Sequence, residues 1–544
     1  MKRWKLCLNV IAGILLVGHS GDLTDADERP NIVIIMVDDM GFSDVGCYGS
    51  EISTPNLDWL AENGLRFTQF YNTGRCCPTR AALLTGLYSH EAGIGHMNQD
   101  KGEKRPGYRG HLLERCVTIG EVLRPAGYLT AVTGKWHVGA SDQNWWPLQR
   151  GFDRFYGVPQ GGGFYFSPTQ GRDLVAGNDV QYSFGDQLPE GFYTTDAFAE
   201  QGVEFVKEAV KQEKPFFWYL AFNAPHWPLQ AEQKDIEKYK GKYLEGWEAT
   251  RKTRHQKQIE LGLIDETWDL TPQDPEGLKW SQLDVASQEK QDLGMACYAA
   301  VMERMDHAVG TVVASLEEQG VLDNTLILFL SDNGGCAEGG DLVKNSGTLE
   351  AAWGSADSFI RYGKAWSNVS NTPFRKHKHW NHEGGIASPL IAHWPKGIPQ
   401  NREGTYCRQP AHVIDLMATC VDLGQADYPE SHAGSEIVSL AGKSLKPLLS
   451  GNEQPIHDVI FWEHEGNRAV RKGDWKLVAN GPKGKWELYN LKKDRTEMHD
   501  LASEKPAKVK ELINDWEAWA KESYVLPWIW KPGYMKAKAE HVSK

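Results

Sequence analysis

Residues 31–39 read NIVIIMVDD. Six apolar residues follow Asn31 without polar alternation, bounded by Pro30 and Asp38. Such a run predicts a strand buried on both faces, as in a parallel sheet covered by helices on either side. The same text recurs along the chain: YLTAVTGKWHVG (128–139), PFFWYLAFNAPHWPL (215–229), TLILFLSDNGG (325–335) and SPLIAHWP (388–395) each read as a strand running into a loop. Helical patterns lie between them. STPNLDWLAENGLRF (53–67) reads as a loop and then a helix with Gly64 near its end, and further helical patterns cover 197–212 and 288–319. Strand–helix alternation on this scale predicts an α/β fold with a large, mostly parallel sheet between helices.

Beyond residue 450 the texture changes. VIFWEHEG, NRAVRKGDWKLVAN and KWELYNL are short strand patterns separated by turn residues, and PAKVKELINDWEAWAKE (506–522) is helical. A smaller C-terminal antiparallel sheet with a terminal helix is therefore expected over 453–544, beside an α/β domain at 21–452. The polar tail KPGYMKAKAEHVSK reads as loose. A length of 544 residues suits two such units. Residues 231–262 are strongly charged, which usually marks a solvated helical face; a lid beside a site is the other reading.

At the N-terminus, Lys2, Arg3 and Lys5 precede LCLNVIAGILLVG, with Ser20 and Gly21 behind it. That is the charge, apolar, small-residue order of a secretory signal peptide, expected to be cleaved near residue 20. Its apolar run is shorter than the roughly 18–20 residues of a membrane span, and no other stretch reaches that length, so no span is expected once it is removed. Losing its three positive charges takes the formal net charge from −13 to −16. A general nucleic-acid binder is excluded by that balance, because counterion release needs a basic surface. An anionic substrate would need a local cluster of cations working against the global field.

The nine cysteines show no CxxC pair and no zinc spacing. Cys7 leaves with the signal peptide, and one or two disulfides would be compatible with export. Cys76 and Cys77 are adjacent, in TGRCCPTRAALLTG (73–86). A disulfide between neighbours is strained, and taken alone such a pair is more often buried than catalytic.

Ligands collect at the carboxyl ends of strands in open α/β sheets. There the first strand delivers Asp38 and Asp39, and the 325–331 run delivers Asp332 and Asn333. Three carboxylates and an amide cannot crowd together without a cation, and hard oxygen donors of mixed type lean to Ca²⁺ over Mg²⁺. Other strand ends supply Lys135 and His137, then His226, and the loop HKHWNHEGG (377–385) supplies Lys378. A metal with lysines, an arginine and imidazoles is what sulfuryl or phosphoryl transfer demands: negative charge held on non-bridging oxygens, and a proton for the leaving oxygen.

With these residues in view the chain resembles the formylglycine-dependent sulfatases of the alkaline phosphatase superfamily, and within them the bacterial arylsulfatase branch. The signature C-x-P-[ST]-R is Cys76-Cys77-Pro78-Thr79-Arg80, followed by AALLTG; VDDMG, TGKWHVG, RGFDRFYG, APHWPLQ, LSDNGG and KHWNHEGGIASPLIAHWP keep the family's order. The resemblance implies an alkaline phosphatase-like fold and hydrolysis of sulfate monoesters, aryl or carbohydrate, to an alcohol and inorganic sulfate. It implies that a separate maturation enzyme oxidises Cys76 to formylglycine (3-oxoalanine), Cys77 occupying a variable position. A serine nucleophile would leave a stable sulfate ester, whereas one hydroxyl of a hydrated aldehyde attacks sulfur and the other expels sulfate by C–O cleavage. It further implies Asp38, Asp39, Asp332 and Asn333, with residue 76, as Ca²⁺ ligands. Arg80 and Lys135 would hold the formylglycine hydroxyls, His137 would be the base for collapse, and His226 and Lys378 would contact the sulfate and leaving oxygen. Arg80 lies one helical turn beyond Cys76, so both side chains can address one pocket.

The leaving group is less legible. His90, the glycines 161–163 and the segment Arg375–His379 are candidates for its side of the site, as are tryptophans 136, 145, 146, 227 and 380, although most tryptophans pack in cores. The compartment implied is periplasmic or secreted, and the partner a sulfated small molecule or glycan. A phosphonate or phosphodiester hydrolase on the same fold, a glycan-binding protein on a decayed scaffold and a thiol-redox protein are the competing readings. No position of the acid, lysine or cysteine set is missing, as a decayed site would require. A redox role leaves the strand-end residues unexplained.

Overall fold

A computed structural model describes residues 29–348 and 350–529; the expected signal peptide, Cys7 and the tail from residue 531 lie outside the described residues. The strand Asn31–Val37 is buried along its whole length. Its side chains alternate between two cores: Val33, Ile35 and Val37 enter one, Ile32, Ile34 and Met36 the other. The helices Thr194–Lys211 and Val285–Glu318 cover the first face, and Cys76–Thr85, Ile119–Leu123 and Asp415–Leu423 the second. The two-sided burial that the apolar run demands is thus met by helices above and below.

Asn31–Val37 pairs in parallel with Thr325–Ser331 on one side and Phe216–Ala221 on the other. Leu129–Lys135 and then Arg154–Val158 extend the parallel series. Two short strands, Leu174–Ala176 and Asp179–Tyr182, close that edge in antiparallel fashion. This is the expected α/β architecture, with one difference. The SPLIAHWP strand, Ala387–His393, runs antiparallel to Thr325–Ser331. The chain enters it from the loop carrying Lys378, at the ligand edge of the sheet, and so must run against its neighbours. Beyond it lies Leu65–Tyr71, which takes the last three residues of the stretch 53–67 read as loop and helix, the helix itself being Pro55–Glu62. Gly64 permits that start: a Cβ there would stand 2.4 Å from the carbonyl oxygen of Ala392.

The charged segment forms the helices Gln233–Glu237 and Trp247–Glu260. It is not merely solvated: Arg254 is buried and bonds Asp44 at 2.6 Å and Glu51 at 2.9 Å. All eight described cysteines are free, so the adjacent pair is not joined. Among the described residues no helix is long and apolar enough to cross a membrane.

The C-terminal strands Val459–His464, Asn467–Lys472, Trp475–Ala479 and Trp486–Asn490 form a consecutive antiparallel sheet. The helix Pro506–Glu522 packs on it through Leu512, Trp516 and Trp519. A fully buried ion network ties this sheet to the large one. Glu383 bonds Lys476 at 2.8 Å and Arg495 at 3.0 Å, and accepts from Tyr71 at 3.0 Å. Glu497 shares Lys476 at 2.8 Å, and Arg471 donates to Tyr71 at 2.7 Å. Burial opposes ionisation of Glu383, but Lys476 and Arg495 overcome it and hold its carboxyl down at about 2. Glu383→Gln should lower stability to denaturant at neutral pH by about 3–5 kcal/mol, because it leaves buried cations undercompensated. A carboxyl depressed on folding contributes fully above its ordinary value of 4.5 and loses that contribution as pH falls toward 2. The deficit of the variant in urea titrations should therefore shrink over that interval; equal midpoints at neutral pH would refute the role of the network.

Candidate active site

Strand register builds the centre of the site. Val37 pairs with Ser331, so the next residues of both strands, Asp38 and Asp332, emerge side by side, and the Asp332 amide donates to the Val37 carbonyl at 3.1 Å. Met36 pairs with Ala221 and Ala221 with Gly134, which brings Lys135 and the 222–226 loop to the same edge. Gly134 has φ 100°, and a Cβ on it would stand 2.0 Å from the Ala221 carbonyl, so a side chain would force these strands apart just before Lys135. From the second face comes the helix Cys76–Thr85, buried at all ten positions. Thr79 accepts from the Thr73 amide at 3.1 Å and so folds the entering loop onto the helix start.

These elements bring together all the residues singled out as ligands and catalytic groups. Lys135 Nζ lies 2.5 Å from Asp38 Oδ2, and Lys378 Nζ 2.6 Å from Asp39 Oδ1. Asn333 Nδ2 donates to Asp39 Oδ1 at 2.8 Å. Arg80 grips Asp332 Oδ2 with Nε at 3.1 Å and Nη2 at 2.7 Å, and donates to the Lys135 carbonyl at 3.1 Å. His226 donates Nδ1–H to the Trp227 carbonyl at 2.5 Å, which leaves Nε2 facing Asp39 Oδ2 at 3.5 Å. The sulfurs of Cys76 and Cys77 and a ring nitrogen of His137 lie within 4.8 Å of one another.

Electrostatics mark the same place. Burial and the Asp38 carboxylate push Asp332 well above the ordinary carboxylate range in spite of Arg80. Burial would raise Asp38 too, yet Lys135, His226 and Arg80 hold it below that range. The Cys76 thiol is drawn well below its usual value by a hydrogen bond with Cys77 and, against burial, by Lys135 and His137. Burial and the Lys135 charge drop His137 to about 4, so its imidazole is neutral at physiological pH. Among the described residues, three buried oxygens of this acid and amide set have no hydrogen-bond partner: Asp38 Oδ1, Asp39 Oδ2 and Asn333 Oδ1. Buried acceptors of this kind are costly unless something binds them. An all-oxygen donor set with unpaired lone pairs fits a hard divalent cation.

Above this centre opens a cleft of about 380 Å³, lined by Cys76, Lys135, His137, His226 and Lys378. Arg80 forms the buried support beneath rather than the lining. The cleft wall adds residues without a legible spacing: Arg75, Glu338, Arg172, Gln160, Gln170 and Met97. Glu338 organises the wall, bonding Arg75 at 2.9 Å and accepting from Trp227 Nε1 at 3.1 Å. The sequence did carry one signal for Arg75, its place directly before the signature cysteine at the start of a helix.

Of the leaving-group candidates, Gly161, Gly162, Lys378 and Trp227 line the cleft. His90 does not; it is buried against Glu463 at 2.8 Å. Arg375 turns away to Glu487, at 2.5 Å, and His377 lies 3.8 Å from Asp274. His379 stands behind the lining, 3.2 Å from Glu338. Trp136 is core, Trp145 stacks on His111, Trp146 packs against the second core, and Trp380 bonds His377. No residue of the charged 231–262 segment lines the cleft, so it is not a lid over it.

The Sulfatase family model matches residues 30–426, and the model for the C-terminal part of N-sulphoglucosamine sulphohydrolase matches 375–519. The chain is 35% identical over 533 residues to an uncharacterized sulfatase of Schizosaccharomyces pombe, covering 92% of this chain and 95% of that one. It is 32% identical over 449 residues to an arylsulfatase of Klebsiella aerogenes, covering 80% and 96%. Among solved structures, Ps i-CgsB in complex with k-i-k-neocarrahexaose superposes with a TM-score of 0.65 at 27% identity, covering 90% of this chain and 93% of that one. A family model spanning most of the chain, and relatives matched along nearly their whole length, show that this protein belongs to the sulfatase family and is a sulfuric ester hydrolase.

Proposed function

We propose that the protein is an exported, calcium-dependent sulfatase whose nucleophile is formylglycine made from Cys76 by a separate maturation enzyme. The observation that carries this reading is the convergence, beside Cys76, of three buried oxygens without a hydrogen-bond partner among the described residues with Arg80, Lys135 and Lys378. Asp38, Asp39, Asp332 and Asn333 would hold Ca²⁺, which when bound supplies a Lewis acid for sulfate charge. The aldehyde at residue 76 supplies, once hydrated, a nucleophile that clears itself.

The remaining chemistry belongs to the chain's own side chains. Lys135 and Arg80 place positive charge at the start of the helix, where backbone amides already favour an anion. His137, neutral and beside residue 76, accepts the proton whose loss ends the cycle. Lys378 and His226 face the opposite flank, where the leaving oxygen needs a proton. Burial would discharge Lys378, but the Asp39 carboxylate holds its pKa well above the ordinary value, so it enters the cycle protonated. Arg75 and Arg172 add cationic wall, and Trp227 offers a ring face. A cleft of about 380 Å³ accommodates a sulfate with one attached ring, so the substrate class is a sulfated sugar unit or aryl sulfate. The charge and hydropathy order of residues 2–21 supports a periplasmic or secreted location.

Two experiments test this reading. Exhaustive chelation should abolish turnover and readdition of Ca²⁺ restore it; full activity in metal-free protein would remove calcium from the mechanism. Gly161→Ala probes the His137 flank, because the added Cβ would stand 1.9 Å from His137 Nε2. The displaced imidazole should cost about 10²-fold in kcat, while thermal unfolding stays near that of the wild type; unchanged kcat would argue against His137 as the base.

A further inference from the structure

A second group of metal-ligating side chains stands behind the cleft wall, outside the acid–cation centre. Three segments contribute. His96 precedes Met97 of the cleft lining, His379 follows Lys378, and His464 and Glu465 lie where the C-terminal strand Val459–His464 turns into Asn467–Lys472. Glu465 takes the left-handed backbone, with φ 51°, a conformation unusual for a residue with a Cβ. Its Oε1 lies 3.9 Å from His96 Nε2 and 3.9 Å from His464 Nε2, and the three ligand atoms lie within 4.8 Å of one another. These gaps are too long for hydrogen bonds.

His464 is fully buried, yet among the described residues neither of its ring nitrogens has a hydrogen-bond partner. A neutral imidazole keeps a lone pair on one ring nitrogen, the atom a metal ion binds. The His379 ring stacks on that of His464 with centroids 5.9 Å apart, and its Nδ1 is 3.5 Å from Glu465 Oε2.

We propose that His96, His464 and Glu465 form a binding site for a borderline transition-metal dication of the Zn²⁺ type. Two imidazoles and a carboxylate are ligands for zinc rather than for calcium. Bonds of about 2.0–2.2 Å put neighbouring ligands of a tetrahedral ion roughly 3.3–3.6 Å apart, so the present spacing closes onto an ion by side-chain shifts of up to about an ångström. The ion would pin the C-terminal turn to the loop carrying Met97. His379 transmits that constraint to the cleft wall, because its Nε2 lies 2.5 Å from Arg75 Nη1 and 3.2 Å from Glu338 Oε1, which Arg75 itself bonds.

Cobalt is the probe, added to the calcium-saturated full-length protein in its unmatured form. One equivalent should develop intense tetrahedral d–d absorption without sulfur-to-cobalt charge transfer, which separates this site from the Cys76, Cys77 and His137 cluster. His96→Ala and Glu465→Gln should each weaken cobalt binding by more than about 100-fold, beyond the loss typical of an outer-sphere partner. Circular dichroism checks that both variants fold, and neither removes the buried His464 ring. Asp39→Asn should leave the cobalt spectrum unchanged. A folded wild type with no such spectrum would overturn the proposal. So would undiminished binding in His96→Ala and Glu465→Gln, or loss of the spectrum in Asp39→Asn.

Discussion

Cys76→Ala protein is expected to fold normally and to hydrolyse sulfate esters roughly 10⁴-fold more slowly than the matured wild type, or worse, as enzymes stripped of their nucleophile do. Folding should survive because the change is small and local. Residue 76 opens the helix Cys76–Thr85, alanine suits that position, and the packing residues Leu83 and Leu84 are untouched. Activity should not survive, because the cations around residue 76 bind an anion but carry no group that can attack sulfur. Cys76→Ser sharpens the test. Its hydroxyl can still attack, but the resulting sulfate ester has no second hydroxyl to expel sulfate, so one equivalent of alcohol should appear in a burst and the protein should gain the mass of one SO₃ group. Cys77→Ala should retain activity, since the Cys77 thiol is directed to Asn98 Oδ1, at 3.5 Å. Turnover near the wild-type rate in folded Cys76→Ala would disprove the assignment.

Lys378→Met should lower kcat by roughly 10²–10⁴-fold, with a loss that depends on the substrate. If Lys378 protonates the leaving oxygen, an alcohol of high pKa needs it most and a nitrophenolate least. The deficit should therefore be large for a sulfated sugar and much smaller for nitrophenyl sulfate. A lysine that merely bound sulfate would cost both substrates equally. The substitution also leaves Asp39 Oδ1 with only Asn333 Nδ2 in place of two donors, so calcium binding should be measured alongside. Equal deficits for both substrates, with calcium affinity unchanged, would transfer the acid role to His226.

Much of this centre was legible because it is written in strands. An apolar run ending in Asp38-Asp39 and another ending in Asp332-Asn333 share one topological position, and parallel register converts that into contact. The direction of Ala387–His393 was not legible. Strand text is the same in either sense, and only the loop that feeds it decides. The strand Leu65–Tyr71 was hidden by its junction with the preceding helix, since Gly64 marks a turn but does not determine the type of the next element. Glu338 and Arg172 escaped for another reason: each is a single charged residue in a loop, and its place in the cleft wall is set by the fold and not by a spacing. Arg254 shows the converse case. A composition that reads as solvated carries a fully buried cation because Asp44 and Glu51 come to meet it.

The most direct test is the mass of the peptide Cys76–Arg80, released by cleavage after Arg75 and Arg80 from protein expressed with a maturation enzyme. The account predicts that one sulfur is lost, that the aldehyde is at residue 76 and not 77, and that specific activity rises in proportion to the modified fraction. A fully active preparation in which both cysteines keep their thiols would contradict it.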